Sequence, residues 1–140
     1  MSNYSDIFTG LKTVLEANVT GLKAYEHPPE SVNSFPAAIL LPDPIDVRLF
    51  FGGNSFEAKI RIVTLVSAGD SPEGWAQLMD YIDPTTTNKS IVKAVRTDPK
   101  LDGKVDSSEI YLIDNIGRRE WFGGYYFGFD AHLEVSKSVT

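Results

Sequence analysis

The sequence predicts an α+β domain with helices on one face of a mainly antiparallel or mixed β-sheet of four to five strands. Segments whose apolar residues recur at every second position are interspersed with segments whose apolar residues recur at helical spacing. Their order is helix, strand, hairpin, two helices, hairpin, which is typical of an α+β fold. Because the 140 residues contain no repeat or low-complexity linker, we expect a single domain over 1–140.

Three segments are predicted to be helical. The first is expected to have Ser5 or Asp6 as its N-cap. The second is expected to begin with Pro72 at its first helical position and to stop before Pro84, and a third is expected from 87 or 88 to 96. The residues predicted to face the core are Ile7, Phe8, Leu11, Val14, Leu15, Trp75, Leu78, Met79, Ile82, Ile91, Val92 and Val95.

The central part of the chain is predicted to be extended. PAAILLP (36–42) is a short apolar run between prolines, and 47–67 is typical of a hairpin with its turn at 52–54. The second arm of that hairpin alternates between apolar and charged residues, which indicates one buried face. Val63 and Leu65 interrupt its polar face, so we expect a helix or another subunit to cover part of that face.

The C-terminal part is predicted to form two strands, SSEIYLIDNIG and EWFGGYYFGFDAHLEVS, joined by 117–119. In the run GGYYFGFDAHLEV the apolar residues again recur at every second position. A strand after the glycines excludes a phosphate-binding loop, which requires a following helix. We therefore expect a turn at Gly123 and Gly124 and a bend or close backbone approach at Gly128.

Composition excludes several classes of function. The absence of cysteine removes thiol catalysis, disulfides and sulfur-ligated metals. A formal net charge of -6 argues against a protein that grips nucleic acid, because such affinity comes from lysine and arginine neutralising phosphates. No apolar run reaches the length of a membrane span, and the N-terminus lacks the pattern of a signal peptide. We expect no cofactor and no membrane association.

One segment resembles a calcium-binding loop. In 98–109, acidic residues and Gly103 match several positions of the twelve-residue loop, with Glu109 at the last. Lys100, however, lies where an oxygen ligand is needed, and the following residues predict a strand rather than a helix. A turn between a helix and a strand is the favoured interpretation, with calcium binding as the alternative.

The remaining ionisable residues predict no catalytic or metal centre. The two histidines, His27 and His132, are predicted to lie in a loop and on the polar side of a strand, without a third ligand. Asp80 and Asp83 could face the same way at a helix end, but no partner group accompanies them. No serine lies in a nucleophile elbow, so we expect the protein not to be an enzyme.

Bulky residues at the predicted turns suggest an interface between proteins. Hairpin ends usually face water, whereas aromatic and arginine anchors are favoured in protein interfaces. The alternative is that these rings fold back onto the core. The candidate interface residues are Leu49, Phe50, Phe51, Arg118, Arg119, Trp121 and Phe122.

The order of these elements resembles the tail terminator (tail completion) proteins of long-tailed bacteriophages. The resemblance rests on the opening IFTGLKTVLEANV, the strand SFPAAILLP, SFEAKIRIVTLVS followed by SPEGWAQLMDYI, and the terminal GGYYFGFDAHLEV. It covers nearly the whole chain and involves no catalytic motif.

The resemblance implies a structural virion protein assembled in the host cytoplasm. Such proteins form a hexameric ring at the head-proximal end of the tail tube, stop its polymerisation and contact the tail tube protein and a head-completion or neck protein. DNA passes through the ring without specific binding, and a negative charge is compatible with that passage. A cyclic assembly needs two different contact patches on each subunit.

Two other functions remain as alternatives. The first is another connector of the virion, such as a head-tail joining, neck or minor tail protein with a related α+β fold. The second is a small calcium-binding module that uses 98–109.

Overall fold

The protein is described by a computed structural model over residues 3–43, 55–68, 72–121 and 123–138. These residues form three helices and five strands in one mixed sheet, which confirms the predicted α+β class. The elements in chain order are α1 (Asn3–Asn18), β1 (Lys23–Tyr25), β2 (Ala37–Pro42), β3 (Ser55–Ala68), α2 (Pro72–Ile82), α3 (Ile91–Thr97), β4 (Ser107–Trp121) and β5 (Gly124–Ser138).

The sheet has the strand order β1-β2-β3-β5-β4. The short β1 runs parallel to β2, and every other neighbouring pair is antiparallel. β3 and β5 pair along most of their length in the middle of the sheet, whereas β4, with 15 residues, forms one edge. Of the hairpin predicted over 47–67, the tip lies outside the described residues, and β3 pairs with β2 and β5.

All three helices pack on one face of the sheet and form the main core with it. Alternate residues of the central strands supply the sheet side, including Ile60, Ile62, Phe129 and Leu133, all of which are fully buried. Leu78 of α2 is buried as predicted, but Trp75 is not, because its side chain remains 47% exposed. Most of the predicted inward positions of the helices are therefore correct.

Helix boundaries differ from the predictions in two places. α1 already begins at Asn3, so Ser5 and Asp6 lie within its first turns and are not N-caps. α3 begins at Ile91, and its N-cap is Ser90, whose hydroxyl oxygen accepts a hydrogen bond from the backbone N–H of Lys93 at 3.1 Å. The predicted start at 87 or 88 fails because Asn88 has a positive φ of 64°.

The opposite, outer face of the sheet carries a second, smaller apolar cluster. Val63 and Leu65 are buried there against Val32 and the partly buried Phe35. The covering residues belong to the loop before β2, so the expectation of a helix or another subunit over this part of β3 is wrong. The chain covers these two side chains with its own loop.

The last two strands are joined at the turn that was expected at Gly123 and Gly124, and not at 117–119, where the sequence also predicted a connection. β4 continues through 117–119 to Trp121, and the turn follows at Gly123, which has a φ of 81°. The residues at 117–119 are not a turn but follow a bulge in the pairing between Asp114 and Gly117. Asn115 and Gly117 both have positive φ in this bulge, which explains why the sequence resembles a turn.

Gly128 is a point of close backbone approach, as predicted. It lies in the middle of β5, opposite Leu65 of β3 and Gly117 of β4. A Cβ atom at this position would collide with the backbone carbonyl oxygen of Thr64. Only glycine fits here without a shift of the neighbouring strand.

Candidate functional site

The most exposed apolar side chains of the described residues lie along the β4 edge of the sheet. Five large hydrophobic residues are between 45% and 51% exposed. Three of them belong to β4 itself, and one belongs to the adjoining strand β5. We call the five residues the edge surface: Trp75, Tyr111, Leu112, Ile116 and Tyr125.

Bulges in the backbone of β4 expose several of these side chains to solvent. The pairing between β4 and β5 shifts at Tyr111, between Ile110 and Leu112, and again between Asp114 and Gly117, where β4 has one residue more than β5. Bulges turn side chains away from the regular alternation of a strand, and they are frequent at sheet edges. The edge strand therefore exposes apolar side chains that a regular strand would have placed in the core.

Ring contacts support the part of the edge surface near the β4–β5 turn. The Trp75 ring packs edge-on against Phe127, with centroids 6.1 Å apart, and the Arg118 guanidinium lies 4.4 Å from the centre of the Tyr125 ring. An exposed cation–π contact of this kind contributes about 0.5–1 kcal/mol. These contacts hold the rings in place while leaving about half of the Trp75 and Tyr125 surfaces accessible.

The predicted interface residues have different outcomes. Leu49, Phe50, Phe51 and Phe122 lie outside the described residues, and for Trp121 only the backbone in β4 is described. Arg118 is exposed at the edge surface, next to Tyr125. Arg119 instead points to the outer face, where its guanidinium forms an ion pair with Asp130 at 2.7 Å.

The outer face of the sheet also carries an ionic network of six residues. Its members come from four strands or their ends, so the network crosses the sheet from β2 to β4. Ion pairs link four of them in a row and the other two as a separate pair, and the two groups meet at a pair of carboxylates. The residues of the ionic network are Asp43, Arg61, Asp114, Arg119, Asp130 and His132.

His132 is at the centre of this network. Its Nδ1 lies 3.1 Å from Oδ2 of Asp43, and its Nε2 lies 2.7 Å from Oδ1 of Asp114. Since carboxylates only accept hydrogen bonds, both ring nitrogens must donate for both bonds to form, and this favours the charged imidazolium. Burial by itself would lower the pKa of His132, but the hydrogen bonds to Asp114 and Asp43 outweigh it and raise the pKa above 6.5.

Asp130 is the most buried charge in the network. Its side chain has no exposed surface, and its two oxygens accept hydrogen bonds from Arg119 at 2.7 Å and from the side-chain amide of Asn115 at 2.9 Å. Asp114 lies directly opposite on β4, so two carboxylates face each other across the strands. Arg119 and His132 offset this repulsion, which explains why the two cations lie on either side of it.

Within the described residues, one group of side chains has the spacing of a metal site. Asp114, Asp130 and His132 each offer a ligand atom, and these atoms lie within 4.8 Å of one another. His132 was predicted to lie on the polar side of a strand, but its acidic neighbours were not predicted. Asp43 and Asp114 are 89 and 18 residues away in the chain, and only the strand order and the bulge bring them together.

The resemblance of 98–109 to a calcium loop is explained by its role as a turn. Leu101 and Val105 are buried in the main core, and β4 begins at Ser107 where an exiting helix would be required. The Asp98 carboxylate accepts a hydrogen bond from the backbone N–H of Asp102 at 3.1 Å. In the described part of the chain, the acidic residues of this segment do not form a group with metal-ligand spacing.

The other ionisable candidates are separated in the structure. Oδ2 of Asp80 lies 3.5 Å from Nζ of Lys89, and the Asp83 carboxylate accepts hydrogen bonds from the backbone N–H and the hydroxyl of Thr85. These bonds, the side-chain one foremost, lower the pKa of Asp83, which is opposite to the change that a general acid needs. His27 is exposed in the loop after β1.

No protein-family profile matches the chain, and no curated protein matches it significantly. In the described part of the chain, no helix is both long and apolar enough to cross a membrane.

Proposed function

We propose that the protein is a structural component of a phage virion, a tail terminator that forms a ring at the head-proximal end of the tail tube. The resemblance to tail terminators implies that this ring is a hexamer. In this function the ring stops tube polymerisation and offers a surface to a head-completion or neck protein. DNA passes through it without specific binding. The work of the protein is geometric contact rather than catalysis.

The observation that carries the proposal is the apolar edge surface on an edge strand. Long edge strands with exposed apolar residues are aggregation hazards, and proteins normally shorten, charge or cover them. Here β4 is 15 residues long and exposes Tyr111, Leu112 and Ile116. A neighbouring subunit that covers this surface in a closed ring would remove the hazard.

The two edge strands of the sheet also suit a head-to-tail contact. A ring places one patch of each subunit against a different patch of the next. The β4 edge is long and exposes three large apolar side chains among charged ones such as Glu109 and Arg118, whereas the other edge is the three-residue strand β1, in which Lys23 is exposed. Such unlike edges favour a heterologous contact over a symmetric dimer.

Tail-tube assembly in vitro tests this function. The tube protein of the same phage is polymerised with and without the purified chain, and tube lengths are measured by electron microscopy. We expect short tubes of limited length that carry density at one end. Ile116→Asp should abolish this effect, whereas Ala17→Asp, at an exposed position of α1, should retain it.

Deletion of the gene separates the proposal from its nearest alternative. Loss of a terminator gives overlong tails, and this is the result we expect. Finished tails of normal length that fail to join heads would instead identify a head-tail joining or neck protein. Normal virions would contradict both functions.

A further inference from the structure

The ionic network on the outer face contains a set of side chains suited to a metal ion. We propose that His132, Asp114 and Asp130 bind a divalent transition-metal ion of the Zn²⁺ type, which links β4 to β5. Their ligand atoms already lie within 4.8 Å of one another. This site adjoins one residue of the edge surface, because the Tyr111 ring lies 6.2 Å from the His132 ring, but the inference does not depend on the proposed function.

Asp43 supplies an independent reason for metal binding at His132. Its Oδ2 lies 3.1 Å from Nδ1 of the ring and comes from the end of β2, outside the three ligands. A histidine that binds a metal commonly donates its other ring N–H to a carboxylate, which fixes the tautomer. With Nδ1–H donated to Asp43, the Nε2 lone pair points to Asp114.

The contact between Nε2 of His132 and Oδ1 of Asp114, at 2.7 Å, requires a positive charge between two lone pairs. A proton or a metal ion can supply it. Zn–N and Zn–O bonds of about 2.0–2.2 Å place two ligands of a tetrahedral ion about 3.3 Å apart. The two atoms therefore need to separate by roughly half an ångström for the ion to replace the proton.

The donor set selects the class of metal. One imidazole nitrogen and two carboxylates suit zinc and similar ions, whereas Ca²⁺ and Mg²⁺ prefer sites made of oxygen alone. Asp130 can take part while keeping its bonds to Arg119 and Asn115, because each carboxylate oxygen has two lone pairs.

The charge balance accommodates one added cation, either a proton on His132 or a metal ion in its place. Three carboxylates, those of Asp43, Asp114 and Asp130, are accompanied by two guanidinium groups, those of Arg61 and Arg119. With a neutral imidazole the ionic network therefore has one net negative charge. A divalent ion bound there would be held by three ligands and one outer carboxylate, with water completing the coordination.

Isothermal titration of the tag-free, EDTA-treated full chain with zinc chloride tests the site. We expect one ion per chain and a rise in the melting temperature on binding. His132→Gln should abolish binding, and Asp43→Asn should weaken it by about 10- to 100-fold, as is typical of an outer-shell carboxylate. His27→Gln, which alters the exposed histidine, is the matched control and should bind as the wild type does.

Two results would overturn the assignment. One is the absence of binding at millimolar zinc, which would leave a proton-mediated ion pair only. The other is binding that persists in both His132→Gln and Asp114→Asn or is lost in His27→Gln. Asp114 has a side chain that is 43% exposed, so Asp114→Asn keeps the test valid if His132→Gln fails to fold by circular dichroism.

Discussion

The two faces of the same sheet are built on different principles. The helix-covered face is a continuous apolar core in which β3 and β5 contribute every second residue, for example Ile60 and Leu133. The outer face, formed by the residues between them, combines the small apolar cluster under the loop before β2 with the ionic network around His132.

The difference shows what holds each face in place. Burial of apolar surface is non-directional and tolerates repacking, so the helix-covered face needs only the correct period. The outer face depends on individual partners at hydrogen-bond distance, and each loss leaves a specific charge unpaired. Substitutions on the two faces should therefore differ in size and in their dependence on pH.

The largest effect is expected on the helix-covered face. Phe129→Ala removes a fully buried ring and should lower the free energy of unfolding by about 3–5 kcal/mol. Val63→Ala, in the small outer cluster, should cost clearly less because it removes the branched end of a valine and not a whole aromatic ring. Urea denaturation of wild type and both variants measures the two losses of unfolding free energy. Equal losses would show that the outer cluster is as important as the main core.

The second effect concerns the buried ion pair. Arg119→Met leaves the fully buried Asp130 without its cation and should cost about 2–3 kcal/mol, less than a completely enclosed pair because Arg119 is 24% exposed. The double variant Arg119→Met/Asp130→Leu should recover much of this loss, since no unpaired charge remains. A double variant as unstable as Arg119→Met alone would contradict the electrostatic explanation.

The smallest effect is the pH dependence of His132. Because its folded pKa is raised above 6.5, its stabilising contribution is complete below pH 6.5 and is lost as pH rises through the folded pKa. The difference in unfolding free energy between wild type and His132→Gln, measured in EDTA, should therefore shrink from pH 6 towards alkaline pH. A constant difference would show that the imidazole is not charged in the native state.

Periodicity alone predicted most of the helix-covered face. β3, β5 and the inward residues of α3 follow from alternation and helical spacing, because apolar burial repeats with the period of the backbone, whereas β2 was predicted from a continuous apolar run between prolines. The C-terminal end of β4 could not be predicted from periodicity. The bulge with positive φ at Asn115 and Gly117 has the same residue types as a turn, so only the pairing with β5 distinguishes the two.

The candidate site was only partly predictable for the same reason. Arg118 was predicted as a candidate interface residue and is exposed near the last turn, whereas Leu112 and Ile116 lie at bulges that no periodic pattern reveals. The partners of His132 come from strands that are neighbours in space and distant in sequence. Such contacts depend on strand order, which a single sequence does not specify.

Light scattering of the purified chain and of Ile116→Asp most directly tests the central claim that the edge surface joins copies of this chain in a closed ring. We expect a wild-type mass that is a fixed multiple of 15.5 kDa, six in the favoured assembly, and a monomer with an unchanged circular dichroism spectrum for Ile116→Asp. The control Ala17→Asp should retain the wild-type mass. A wild-type mass of one chain at every concentration, in the presence of the tube protein as well as alone, would contradict the account.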